Sequence, residues 1–139
     1  MSNGSINKLA LIEDEEFIRD LYKRQLDLAN LPTDAFANGQ EGLRALQSGV
    51  YDLLLLDIML PDTNGLEILK QIKQNPKINK LPVVLLTNLG QDVIIKEGFA
   101  LGAEGYLIKS SLTPSQIVQE IKNIISRLEA KRSAPATSV

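Results

Sequence analysis

The 139-residue chain contains no cysteine and no histidine. The first absence excludes disulfides, thiolate nucleophiles and cysteine-held zinc. The second excludes a Ser-His-Asp triad, an imidazole general base and any histidine metal ligand. A metal, if bound, must be held by oxygen, which selects a hard ion such as Mg²⁺, Mn²⁺ or Ca²⁺. Strong charge of one sign is also lacking: 15 Lys and Arg stand against 17 Asp and Glu, a formal net charge of -2. That balance gives no argument for a nucleic-acid or anionic-membrane surface. No apolar run approaches the roughly 20 residues that cross a bilayer. The opening residues MSNGSINK lack a basic segment followed by an apolar one, so no signal peptide is read there. A soluble cytoplasmic protein is expected. No internal repeat, low-complexity block or interdomain linker is found, and the length suits one domain.

The most informative stretch is YDLLLLDIMLPDTNG, residues 51–65. Four leucines run between Asp52 and Asp57. A short apolar run bounded by polar residues fits a strand buried on both faces. It is too short for a helix and meets turn residues at 61–65. Asp57 therefore sits at the carboxyl end of a central strand, the edge where open α/β sheets bind ligands. Taken alone, an ordinary strand-ending or capping Asp is an equal reading.

The rest of the chain alternates. Strands are predicted over 8–12, 33–37, 53–57, 82–86 and 105–108. Helices are predicted over 16–29, 40–48, 66–75 and 91–101, with a last helix opening at Thr113-Pro114-Ser115-Gln116. Phe17, Ile18, Leu21, Leu26 and Leu28 give the first helix its helical spacing. Thr113 and Gln116 form a capping box around Pro114, and Gly102 follows the end of the fourth helix. Residues 1–7 and 130–139 are expected to be flexible ends around a domain over 8–129. Five strands alternating with five helices imply βαβ units and a doubly wound parallel sheet, covered on both faces.

All strand carboxyl ends then share one edge. Glu13 and Asp14 follow the first strand, Asp57 ends the third, Thr87 follows the fourth and Lys109 follows the fifth. Singly, each has an ordinary reading as a solvated acid, a cap or a surface lysine. Together they are harder to explain that way. Clustered carboxylates repel unless a cation compensates, and oxygen ligands at this density suit Mg²⁺. The set reads as a phosphoryl site with a carboxylate acceptor.

In this order the residues resemble the receiver domain of two-component response regulators, over about 8–128. The most specific part is Asp57-Ile-Met-Leu-Pro-Asp-Thr-Asn-Gly65, with Glu13-Asp14, Thr87 and the 102–109 stretch matching at the other corners. The resemblance implies a flavodoxin-like sheet of strand order 2-1-3-4-5, and a stand-alone switch like the chemotaxis regulators. It implies that Asp57 accepts a phosphoryl group from a partner histidine kinase or phosphotransfer protein. Asp14, Asp57 and the Met59 carbonyl would bind Mg²⁺ (Mn²⁺ as a substitute), with Glu13 acting through water. Lys109 would pair with the phosphoryl oxygens, Thr87 would move to them, and Tyr106 would rotate inward. The output surface would lie over about 91–131 and contact an unknown downstream protein, the chain being a monomer or a weak phosphorylation-dependent dimer. No DNA-binding domain is expected from the short tail.

Two departures from the family stand out. Ser110 follows Lys109 where proline, often cis, is common. A cis non-proline bond costs roughly 2.5–4 kcal/mol, so either a trans bond with a rearranged 110–113 loop or a strained one is expected. Glu13 replaces a frequent Asp. Ile94 and Ile95 are adjacent, so one of them is expected to be exposed. Two other classes remain open: a metal-dependent phosphohydrolase with Asp57 as nucleophile, and a receiver-like module working without phosphate. Against the hydrolase, Met59 stands where a proton-transferring carboxylate is often found, and Met59 and Leu89 make the surroundings apolar.

Overall fold

The computed structural model describes residues 5–88 and 92–133. Strands β1 (Leu9–Ile12), β2 (Thr33–Phe36), β3 (Leu53–Asp57), β4 (Val83–Thr87) and β5 (Gly105–Ile108) form one sheet. Every neighbouring pair is parallel and the order is β2-β1-β3-β4-β5, as expected. Parallel neighbours need crossovers. These are α1 (Glu16–Leu28), α2 (Gly39–Leu46), α3 (Gly65–Gln74) and α4 (Asp92–Ala100), with α5 (Pro114–Ser133) closing the chain.

The leucine run shows why the strands need no polar alternation. Leu53 and Leu55 point into a core with α1 and α5, while Leu54 and Leu56 point into a second core with α2 and α3. All four have no exposed surface. Burying a leucine side chain contributes about 2 kcal/mol, so β3 anchors both layers at once.

The sequence patterns end α1 and α4 and open α5 where expected. Asn30 adopts a left-handed φ of 65° after α1. Gly102, at φ 102°, follows α4. The Thr113 amide donates to Gln116 Oε1 (2.8 Å) and the Gln116 amide to Thr113 Oγ1 (3.2 Å), a closed capping box.

Three expectations need correction. Phe17 and Leu28 are exposed; α1 buries Leu26, as expected, together with Tyr22, which the spacing did not include. The amino-terminal residues are tied down from Ser5 on where described: Ile6 is buried in the α1–α5 core, and its amide donates to Glu129 Oε2 at 2.8 Å. Helix α5 runs through Ser133, past the expected start of the tail. Residues 134–139 and 1–4 lie outside the described residues.

Candidate functional site

The register brings the acids together. Ile12 pairs with Leu56, so one step on Glu13 stands level with Asp57. The Glu13 amide continues the ladder to Phe36 O at 3.0 Å, which holds it at the sheet edge. Glu13 has no exposed surface and Asp57 is 4% exposed, whereas Asp14 is exposed. Lys109 arrives from β5 as the first residue of a 3-10 turn, Lys109–Ser111. Its Nζ donates to Glu13 Oε1 at 2.7 Å and to Asp57 Oδ2 at 3.0 Å.

Two buried carboxylates thus share one ammonium, and carboxylate oxygens of Glu13, Asp14 and Asp57 lie within 4.8 Å of one another. Burial first, and then repulsion from Glu13, push the Asp57 carboxyl up to about 7, against the opposing charge and hydrogen bond of Lys109. Burial by itself would lower the Lys109 ammonium. The Glu13 hydrogen bond and the Asp57 charge outweigh it, so Lys109 is raised. The site therefore holds more negative charge than the protein's own cation balances. An all-oxygen donor set with surplus negative charge fits a hard divalent ion.

The loop after β3 is built to hold its shape. Met59 and Asn64 form an antiparallel bridge. The Met59 amide donates to Asp57 Oδ1 (3.2 Å), and Asn64 Oδ1 caps α3 through the Leu66 amide (2.7 Å). Asp62 accepts from the Gly39 and Gln40 amides, both at 3.0 Å, fastening the loop to the start of α2. These amides hold the Asp62 carboxyl below its ordinary value. A Cβ on Gly65 would collide with the Asp57 carbonyl and lie 2.7 Å from Ile58 Cα, so only glycine fits without moving the loop.

The remaining expected residues are placed less uniformly. Thr87 is buried at the end of β4, paired with Ile108. Tyr106 lies outside the carboxylate cluster, 38% exposed, its ring edge-on to Phe99 of α4 with centroids 6.0 Å apart. There is no cis peptide bond among the described residues, so the Lys109–Ser110 bond is trans. Instead of strain, Ser110 supplies a hydroxyl that donates to Asn88 O at 3.0 Å. Ile94 and Ile95 are both half-buried, and Val93 is the exposed apolar residue of that turn. Leu89 and Gln91 lie outside the described residues.

Sequence reasoning missed Asp62, Asn64 and Arg19. Asn64 before Gly65 carries a readable helix-start signal. Asp62 and Arg19 carry none, because their partners are backbone groups that no local pattern announces.

Residues 9–122 match the family described as the response regulator receiver domain. The chain is 33% identical over 120 residues to the phosphate regulon transcriptional regulatory protein PhoB of Rhizobium meliloti, covering 86% of this chain and 52% of that one. It is 31% identical over 127 residues to the transcriptional regulatory protein ResD of Bacillus subtilis, covering 91% and 51%. The chain thus spans about half the length of these curated relatives. Among solved structures, a putative response regulator from Chloroflexus aurantiacus superposes with a TM-score of 0.78 at 28% identity, covering 88% of this chain and 100% of that one. A chemotaxis response regulator of Vibrio cholerae gives 0.79 at 24% identity over 86% and 99%, a likeness of fold.

Proposed function

The chain belongs to the response regulator receiver family, and from that premise we propose that it is a cytoplasmic, phosphorylation-dependent signalling switch with Asp57 as the phosphoacceptor. The observation that carries the reading is the Lys109 ammonium bridging buried Glu13 and Asp57, with Asp14 beside them. Receivers of this family are switches rather than enzymes in the usual sense. Having no histidine, the chain needs a donor histidine on a partner kinase or phosphotransfer protein. A carboxylate oxygen of Asp57 attacks the phosphorus. The phosphorus–nitrogen bond breaks, the imidazole leaves with the electron pair and takes a proton, and Asp57 becomes an acyl phosphate.

Asp14, Asp57 and the Met59 carbonyl are the groups to hold Mg²⁺ or Mn²⁺, with Glu13 acting through water. Such an ion neutralises charge on the phosphoryl oxygens. Lys109 supplies the second positive charge and stays with the phosphoryl group once Asp57 is modified. Thr87, at the end of β4, offers a hydroxyl to the same oxygens. Its movement frees space for Tyr106, whose ring now rests on Phe99 at the surface. The surface of α4, β5 and α5 is then the part that changes and meets a downstream protein, with the chain a monomer or a weak phosphorylation-dependent dimer. The curated relatives are named as transcriptional regulators, so control of transcription is one output this surface would serve. The hydrolase alternative is disfavoured: Met59 is an exposed thioether, which cannot transfer a proton.

Incubation with Mg²⁺ and acetyl phosphate, read by intact mass, tests the reading. One phosphoryl adduct is expected, absent in Asp57→Asn. An unmodified wild-type chain under every donor supports the phosphate-independent module, and sustained turnover of a small phosphate ester supports the hydrolase.

A further inference from the structure

Arg19 is the fourth residue of α1, and its amide closes the first turn on Glu15 O at 2.8 Å. Its guanidinium turns back toward the sheet edge. One nitrogen, Nη1, donates to Glu13 O at 3.0 Å and to Asp14 O at 3.1 Å. Two successive carbonyls are thus held by one donor at the point where β1 leaves the sheet. The two acids they belong to are fixed differently. Glu13 is locked by its side chain: Oε1 accepts from Lys109 and Oε2 from the Glu15 amide at 3.1 Å. The exposed Asp14 carboxylate has no donor among the described residues, so its direction is set by its own backbone.

We propose that Arg19 is a positioning residue for Asp14, holding the 13–14 backbone so that the Asp14 carboxylate faces Asp57 before any ion arrives. The inference rests on the reading that Glu13, Asp14 and Asp57 hold Mg²⁺. Physically, a partner that fixes a ligand without touching the metal raises affinity by removing the cost of ordering that ligand. Arginine suits the task because its donors lie in a planar fork and its charge does not titrate away.

Charge and position act in opposite directions here, which makes the test decisive. As a cation near the site, Arg19 repels a divalent ion, so its loss by charge alone would tighten binding. As a clamp, its loss loosens Asp14 and weakens binding. Calorimetric titration of Mg²⁺ into the full chain at fixed ionic strength, for wild type, Arg19→Gln and Arg19→Lys, separates the two. The expected result is about tenfold weaker binding in Arg19→Gln, with Arg19→Lys, which keeps the charge and one reach of donor, in between. Amide spectra of the metal-free variants should change only around residues 13–20. Equal or tighter binding in Arg19→Gln overturns the inference while leaving the Mg²⁺ reading intact. Spectral change across the whole sheet overturns it in favour of a folding role. Absence of Mg²⁺ binding by wild type overturns both.

Discussion

The two ends of the parallel sheet treat their carboxylates in opposite ways. At the amino end, Asp52 Oδ2 accepts from the Asn7 amide (2.9 Å) and the Lys8 amide (3.0 Å), joining the strand entries. Asp34 accepts from the Tyr51 hydroxyl at 2.7 Å and pairs with Lys8 at 3.2 Å. The Tyr51 hydrogen bond holds the Asp34 carboxyl below its ordinary value, partly offset by burial and helped by Lys8. At the carboxyl end, Glu13 and Asp57 are buried around one ammonium, and Asp57 is pushed up rather than down. One end satisfies its acids with the fold's own donors. The other keeps surplus negative charge where a ligand from outside is needed to balance it. That contrast separates carboxylates that stabilise the fold from those to which the proposed function assigns the chemistry.

The contrast breaks most completely in Asp57→Asn, which should abolish the phosphoryl adduct in the mass assay. Removing Lys109 comes next. Lys109→Ala leaves two buried acids without their cation, and denaturant unfolding of the metal-free chain at pH 8 should show a loss of about 3 kcal/mol. Asp52→Ala is the control at the other end. It strands two amides and should cost about 1–2 kcal/mol, with the rate of phosphorylation by acetyl phosphate unchanged.

A pH profile sharpens the same comparison. The raised Asp57 binds more protons in the folded than in the unfolded state between its ordinary value of 3.8 and about 7. Folded-state stability at this group is therefore greatest below that window and falls as pH rises through it. Chemical denaturation of the metal-free chain across pH 4–8 should show that decline, with Mg²⁺ or Asp57→Asn flattening it. Asp34 has the reverse sign: its lowered value stabilises above 3.8 and is lost as pH falls below it. Because Asp34 is about half exposed, Tyr51→Phe should cost under about 1 kcal/mol after screening, the smallest effect of the set.

Much of this was legible in the sequence for one physical reason. A parallel sheet puts every strand's carboxyl end on one edge, so Glu13, Asp57 and Lys109 meet once the alternation of strands and helices is recognised. The leucine run likewise fixed β3 as a strand covered on both faces. What stayed hidden depended on direction rather than periodicity. The spacing in α1 included Leu26 correctly but also the exposed Phe17 and Leu28, and it passed over Tyr22, buried one turn before Leu26. Ile6 is a single apolar residue in a polar opening, too little pattern to show that it enters the core. Arg19 and Asp62 act on backbone groups, which no side-chain pattern announces, and the Ser110 hydroxyl gains its meaning only from Asn88 O, 3.0 Å away.

The central claim is that Asp57 carries charge the protein alone cannot accommodate, while Asp34 does not. Carbon-detected NMR titration of both side-chain carboxyls in one metal-free sample measures this directly. Asp57 should titrate near 7 and Asp34 below 3.8, with added Mg²⁺ moving Asp57 sharply down and leaving Asp34 in place. An Asp57 that titrates like an ordinary aspartate and ignores Mg²⁺ would contradict the account.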